Sequence, residues 1–287
     1  MTLGVGDAMP VVNPMDFPPL VVDQSHWGHL RVTGDDRLRF LQGMCTANVV
    51  ALAPGARVWA SILSPKGRLM SIIEILRRDD DLLLHCEPSI ATRTIDLLRR
   101  YAVMDDVDFE PIELAVHRIW GAPETVWEAP LVLAPPPGQP APADAIEARR
   151  IAAGLPRYGV DAGEDNFPFE SLLGRYIDYG KGCYIGQEPV FRVHSQGQAS
   201  HMLRGLRVHA GEAPLTPGAV VEHPARPRAG EVTSAAMSPE LGSIALACLH
   251  RNAWEAGATV SVEGRVATVV ELPFRLDRGA PGRGAGQ

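Results

Sequence analysis

Cysteine is scarce and widely spaced in this chain: Cys45, Cys86, Cys183 and Cys248 are four in 287 residues. No C-x-x-C pair and no histidine at zinc-finger spacing accompanies them, which argues against a zinc module, and the chain's size argues against a disulfide framework. The spacing gives no support for a cluster gathered on four thiols. Long apolar runs are missing too. No stretch approaches the roughly 18 uninterrupted apolar residues of a membrane helix, so no membrane role is expected. The leader holds Pro10, Pro14, Pro18 and Pro19 with Asp7 and Asp16, and it lacks both a basic region and a continuous apolar one. No secretion signal is read from it, and the cytoplasm is the expected compartment. There is no P-loop and no GxGxxG. His194, Ser195, Ser200 and His201 lie close in sequence, but no nucleophile elbow makes a Ser-His hydrolase of them.

Positive charge is also in short supply. A net charge of -7 argues against a generic nucleic-acid binder, which needs Lys and Arg to neutralise phosphates. The balance reverses locally between Ser171 and Arg207, where Arg175, Lys181, Arg192, Arg204 and Arg207 outnumber Asp178 and Glu188. That run is either a solvated face or a surface for a polyanion, whether RNA or a polyglutamate tail.

What is present suffices for a substantial core, since 46% of the residues are hydrophobic. His29 to Val32 reads as a strand, and Gly34-Asp35-Asp36 as a turn and N-cap before a helix carrying Leu38, Phe40 and Leu41. Two apolar runs, Trp59 to Leu63 and Leu69 to Leu76, flank Ser64-Pro65-Lys66-Gly67, which predicts a hairpin. Leu82 to Cys86 adds a strand, and Ser89 is placed to cap a helix through Tyr101. A helix is expected between Asp144 and Gly154, with Asp144 as its N-cap and Gly154 as its stop. From Met202 to Leu272, short apolar runs separated by turn residues predict a small antiparallel barrel. Strands and helices in this order give an α+β fold. The expected division is residues 1–200, with a proline-rich surface loop at 134–143, then a barrel at 201–275 and a disordered tail at 276–287.

The stretch Lys181-Gly182-Cys183-Tyr184-Ile185-Gly186-Gln187-Glu188 is the most informative. Glycines on either side allow tight turns and close approach of a ligand, and a neighbouring cation favours thiolate over thiol. Two readings stand: a core cysteine in a Gly-bounded turn, or a reactive thiol.

This stretch resembles the signature of the YgfZ family, folate-binding relatives of the glycine-cleavage aminomethyltransferase that support iron-sulfur cluster maturation. Phe40-Leu41-Gln42-Gly43 with Asn48, Leu63 to Arg68, and Gly154-Leu155-Pro156-Arg157-Tyr158-Gly159-Val160-Asp161 are similar to further blocks of that family, in its order. The resemblance implies mixed sheets and helices around a central folate channel, followed by a C-terminal antiparallel barrel. It also implies tetrahydrofolate or a folate derivative as cofactor, with Trp59, Tyr158, Asn48, Gly182 and Gly186 as binding residues. For Trp59 and Tyr158 an ordinary core role is the alternative.

Reactive chemistry is expected at Cys183, with Lys181, Gln187, Glu188 and Arg192 around it; an adduct, transient iron ligation and oxidation all remain open for the thiol. Two departures from the aminomethyltransferases stand out. Met70 and Ser71 occupy the place of their aspartate, which weakens an aminomethyl-transfer reading, and Ala152 replaces a pterin-contacting glutamate, leaving Glu147 or Glu170 as stand-ins. The implied role is a folate-dependent accessory factor in iron-sulfur cluster assembly or repair, with iron-sulfur proteins or their assembly machinery as partners. A tetrahydrofolate-dependent one-carbon transferase and a tRNA-modification factor that binds RNA are the alternatives.

Overall fold

Trp59, Glu74, His85 and His29 stand side by side across one antiparallel sheet, and that row divides the molecule. The protein is described from a computed structural model covering residues 17–133, 139–196, 199–208 and 213–276. Residues 134–138 of the proline-rich loop, the tail from 277 onward and most of the leader lie outside the described residues.

The first sheet has the order β3-β4-β5-β2-β6, formed by β2 (Gly28–Thr33), β3 (Arg57–Leu63), β4 (Leu69–Arg77), β5 (Leu82–Cys86) and β6 (Asp108–Ile112). Side chains alternate between the faces of a strand. Leu30, Ile75 and Leu84 therefore point away from the central row, into a core closed by α1 (Arg37–Met44) and α2 (Pro88–Tyr101). The row itself faces a small second sheet, β1 (Leu20–Asp23), β7 (His117–Trp120) and β8 (Leu131–Val132). Across this gap Arg118 donates to the wholly buried carboxylate of Glu74, to Gln24 Oε1 at 2.6 Å and to the Ala129 carbonyl at 2.7 Å. Arg57 reaches the same carboxylate. A buried ion pair of this kind holds only when its remaining polar atoms are satisfied, and here carbonyls and an amide do so.

The SPKG hairpin forms as the sequence indicates, and so does the body of the α3 helix (Ala143–Ala153), but its N-cap is Pro142 and the expected cap, Asp144, lies inside its first turn. Gly154 ends α3 in the left-handed conformation, at φ 69°. The start of α2 differs from expectation. Pro88 occupies its first turn with Glu87 as N-cap, so Ser89 lies inside the helix and does not cap it. Asp36 is the N-cap of α1 but makes no side-chain capping bond, because its carboxylate accepts from the Asp106 amide and from Arg39.

Beyond α4 (Gln187–Gln196) the chain closes a six-stranded antiparallel barrel: β9 (His201–Val208), β10 (Val220–His223), β11 (Arg226–Ser238), β12 (Gly242–His250), β13 (Thr259–Val262) and β14 (Arg265–Val270). Closure removes the exposed sheet edges that an open arrangement of these strands would present. Helix α3 joins the barrel to the rest. Ile151 and Ala152 pack against Leu203, Ile244, Leu246 and Phe274, while the buried Arg150 donates to Asp161 and Ser234, each at 2.7 Å. The fold is α+β with a C-terminal barrel, as the sequence predicts.

Candidate functional site

Three sequence blocks that lie far apart in the chain meet at the KGCYIGQE loop. The Ile185 amide donates to the Gly43 carbonyl at 3.0 Å, and the Asp178 amide to the Thr46 carbonyl at 3.0 Å, so the loop lies along the segment that follows α1. Lys181 Nζ ties the two together, donating to the carbonyls of Cys45 and Ala47, both at 2.6 Å. The SPKG turn closes the other side. Gly186 sits at φ 81°, and a Cβ there would collide with the Ser64 carbonyl oxygen. Gly67, at φ 75°, approaches the Gly186 carbonyl in return.

This packing settles where each loop residue points. Lys181 is buried, and its ammonium is directed at backbone carbonyls and toward the buried Cys45; among the described residues it makes no hydrogen bond to Cys183. The expectation that Lys181 serves the Cys183 thiol is thus corrected: removing an ammonium from water is costly, and the carbonyls that compensate it belong to the α1 segment. Burial lowers the Lys181 pKa and raises that of Cys45. Tyr184 is buried in the same apolar cluster as Trp59, with the Lys181 ammonium 5.1 Å from its ring centre. Gln187 folds back, its Oε1 accepting from the Tyr184 amide at 3.2 Å. Glu188 and Arg192 form an exposed pair at 2.7 Å on α4, an arrangement that contributes little stability.

Cys183 itself is exposed, whereas Cys45 and Cys86 are buried and Cys248 is half-buried. Gly182 beside it has open space where a side chain would stand. The arrangement presents a thiol to solvent on a loop pinned at both ends. Asn48 is tied into the end of α1, its Oδ1 accepting from Gln42 and from the Ala51 amide. The basic run is dispersed. Lys181 is buried, Arg175 lies over Trp127 at 5.2 Å, Arg192 meets Glu188, and Arg204 donates to the Trp254 carbonyl at 2.9 Å.

Trp59 and Tyr158 do come together, in a narrow cavity they share with Trp27, Ile72, Glu87, Ile90, Leu155 and Pro156. Trp59 is fixed by its indole N–H, which donates to the Trp127 carbonyl at 3.0 Å, and by edge-to-face packing on Trp127. Tyr158 donates to the Leu69 carbonyl at 3.3 Å. Ser71 is buried and shares a hydrogen bond with Thr94 at 2.7 Å, and Met70 lies under Arg93, so neither position supplies an anion. Ala152 belongs to the barrel contact and does not line this cavity. Glu147 is held by Arg150 and Arg157, which keep its pKa lowered although burial opposes them. Glu170 accepts from the Phe167 amide at 2.8 Å. Glu87 was not singled out by the sequence, because nothing in its spacing marks it; it is the cavity's carboxylate, and burial pushes its pKa up to about 7 against the pull of Arg157 and Arg150. The cavity is lined by indole and phenol walls, aliphatic sides and one carboxylate, but its open volume of about 10 Å³ is room for about one water molecule and not for a ring.

The chain shares its fold with a glycine cleavage system aminomethyltransferase. Residues 202–275 match the glycine cleavage T-protein C-terminal barrel domain. The crystal structure of the glycine cleavage system aminomethyltransferase T from Bartonella henselae superposes with a TM-score of 0.75 at 18% identity, over 90% of this chain and 86% of that one. Among relatives by sequence, the tRNA-modifying protein YgfZ of Yersinia enterocolitica is 25% identical over 256 residues, 72% of this chain and 76% of its own length. A chloroplastic protein of Arabidopsis thaliana with a provisional transferase name is 25% identical over 92% of this chain and 73% of its own. The chain is thus similar in sequence to YgfZ proteins and shares its fold with an aminomethyltransferase.

Proposed function

We propose that this protein is an accessory factor of the YgfZ type, acting in tRNA modification and iron-sulfur cluster assembly or repair. It takes a tetrahydrofolate at the Trp59 and Tyr158 cavity and works through the Cys183 thiol. The observation that carries this reading is the exposure of Cys183, alone among the four cysteines, on a loop that Lys181 and Gly186 lock in place. A cysteine kept only for packing would be buried, as Cys45 and Cys86 are. The tRNA-modifying name of the Yersinia relative supports the tRNA side of the reading.

The folate side rests on the residue types that line the cavity, which has to widen to admit a ring. Trp59, Trp27 and Tyr158 would hold the ring of a tetrahydrofolate, and the group would supply a one-carbon unit or a reduced ring nitrogen when bound. The one-carbon transferase is the weaker reading, because Ser71 is engaged with Thr94 and Met70 carries no proton acceptor.

The test is a strain lacking the gene, in which iron-sulfur enzyme activity and tRNA modification are both measured with and without this chain supplied from a plasmid. The proposed role requires both to fall in the deletion and recover with the chain. Recovery of neither rejects it.

A further inference from the structure

The fold gathers at one end of the barrel a set of basic side chains that lie far apart in the sequence. His201 opens β9 opposite His250, the last residue of β12, and the two rings are 5.4 Å apart. Arg251 follows in the next turn, its amide donating to the Ser200 carbonyl at 3.0 Å. Arg226 begins β11, paired with His223 across the β10-β11 hairpin. Arg226, Arg251 and His201 are exposed, and among the described residues neither guanidinium has a carboxylate partner. Desolvation lowers the pKa of both His201 and His250, and the charges that add to it are positive: Arg226 acts on His201, and Arg226, His201 and Arg251 act on His250. The His250 Nδ1 accepts from the Asn252 amide at 3.3 Å and the His223 Nδ1 from the Ala225 amide at 3.2 Å, so each neutral ring carries its proton on Nε2, as a donor.

His201, Arg226 and Arg228 line one side of a groove of about 510 Å³ between the barrel and residues 159–166. Three of its four carboxylates are already engaged. Asp161 accepts from Arg150 and Ser234, each at 2.7 Å, Glu164 accepts from Arg93 at 2.5 Å, and Glu231 lies 3.9 Å from Arg228. Like charges gathered without a counter-charge favour an anion, and a cleft concentrates their field. Resting on the tRNA side of the function proposed above, we propose that Arg226, Arg251, His201 and His250 are the landing surface for the phosphate backbone of RNA. A guanidinium gives a phosphate two parallel N–H donors, and an imidazole adds a third. Contact of this kind fixes the position of the strand and reads no sequence. The net charge of -7 makes the rest of the surface unattractive to phosphates, so the strand is held at this end of the barrel. The basic run between Ser171 and Arg207 gives only His201 to the surface, since its arginines and Lys181 are engaged elsewhere.

The probe is a fluorescein-labelled tRNA transcript, with binding to the full chain read by anisotropy at about 50 and about 200 mM salt. Wild type is expected to bind at the lower concentration and to weaken steeply at the higher. Arg226→Gln combined with Arg251→Gln is expected to weaken binding at least about 10-fold and to make the slope of log K against log salt shallower by roughly 1.5 to 2. Arg226→Lys with Arg251→Lys keeps the charge and should keep the slope. Lys66→Gln with Arg100→Gln removes the same charge from exposed positions elsewhere and should change affinity by no more than about 2-fold.

All three pairs of substitutions fall on exposed side chains, so thermal unfolding should match wild type. Wild-type affinity and slope in the Arg226→Gln and Arg251→Gln pair overturn the surface and leave the tRNA reading standing. An equal loss in the Lys66 and Arg100 pair means that net charge alone acts, and overturns it too. Labelled poly-glutamate bound as tightly as tRNA assigns the cluster to an acidic polypeptide and overturns the assignment to RNA. Absence of tRNA binding by wild type at the lower salt rejects the proposal, while the tRNA side of the function still stands or falls with the deletion strain.

Discussion

The Lys181 ammonium donates hydrogen bonds to the carbonyl oxygens of Cys45 and Ala47, both at 2.6 Å, joining segments far apart in the sequence. The lysine of the KGC motif is therefore a strut that fastens the cysteine loop to the end of α1. Replacing it leaves two carbonyls unmet in a buried setting. Lys181→Met is expected to lower stability by about 2–4 kcal/mol, on the basis of the usual worth of hydrogen bonds to a charged group. A urea midpoint shifted downward with an unchanged slope is the expected result.

The two glycines that flank Cys183 have different reasons to be glycine. Gly186 needs its positive φ and has the Ser64 carbonyl where a Cβ would go, while Gly182 faces open space. Gly186→Ala is expected to cost about 1–3 kcal/mol or more, the usual range for forcing a side chain into a disfavoured backbone region. Gly182→Ala should stay within about 0.5 kcal/mol, as surface substitutions do. Thermal unfolding of the two variants side by side checks the contrast.

The four thiols should separate by reactivity in the native state. Cys183 is exposed and is expected to alkylate first, with Cys248 following slowly. Burial pushes the pKa of Cys248 and of Cys86 up to about 11, and raises that of Cys45 as well. Cys45 and Cys86 should label only after unfolding. Peptide mapping after a short exposure to iodoacetamide gives the order, and rapid labelling of either buried thiol would contradict the packing described.

Two buried histidines should weaken the fold on mild acidification. His85 is buried, with its Nδ1 3.1 Å from that of His29 and its Nε2 3.3 Å from Gln24 Oε1, and one ring must donate while the other accepts. Burial, with the charge of Arg118 adding to it, lowers the His85 pKa well below its ordinary value, and burial lowers that of His29 too. Below about pH 6.5 these rings take up protons in the unfolded chain and not in the folded one, so their contribution to stability declines as pH falls, while Glu87, whose folded pKa is raised, contributes in the opposite direction. Denaturant unfolding from pH 8 to pH 5 should show His85→Gln gaining stability relative to wild type as the pH falls; an unchanged difference between the two would contradict this.

Elements governed by local rules were legible in the sequence. Ser64-Pro65-Lys66-Gly67 makes its turn, Gly154 stops α3 with a left-handed residue, and the short apolar runs after Met202 become barrel strands. The small β1-β7-β8 sheet was not legible, because strands of four, four and two residues carry almost no period. The resemblance assigned Trp59 and Tyr158 to one channel, and the two share a narrow cavity, whereas the direction of Lys181 and the surroundings of Glu87 were not legible. Both depend on which backbone carbonyls and guanidinium groups arrive from distant segments, and no local pattern encodes that.

Cys183 is the residue on which the proposed role depends, and the most direct test is iron-sulfur enzyme activity in cells lacking the gene, complemented with wild type or with Cys183→Ser at equal protein level. Because Cys183 is exposed, its replacement by serine removes no buried packing, and the variant should fold as wild type does. Rescue by wild type and failure of Cys183→Ser is the predicted result. Equal rescue by both would contradict it.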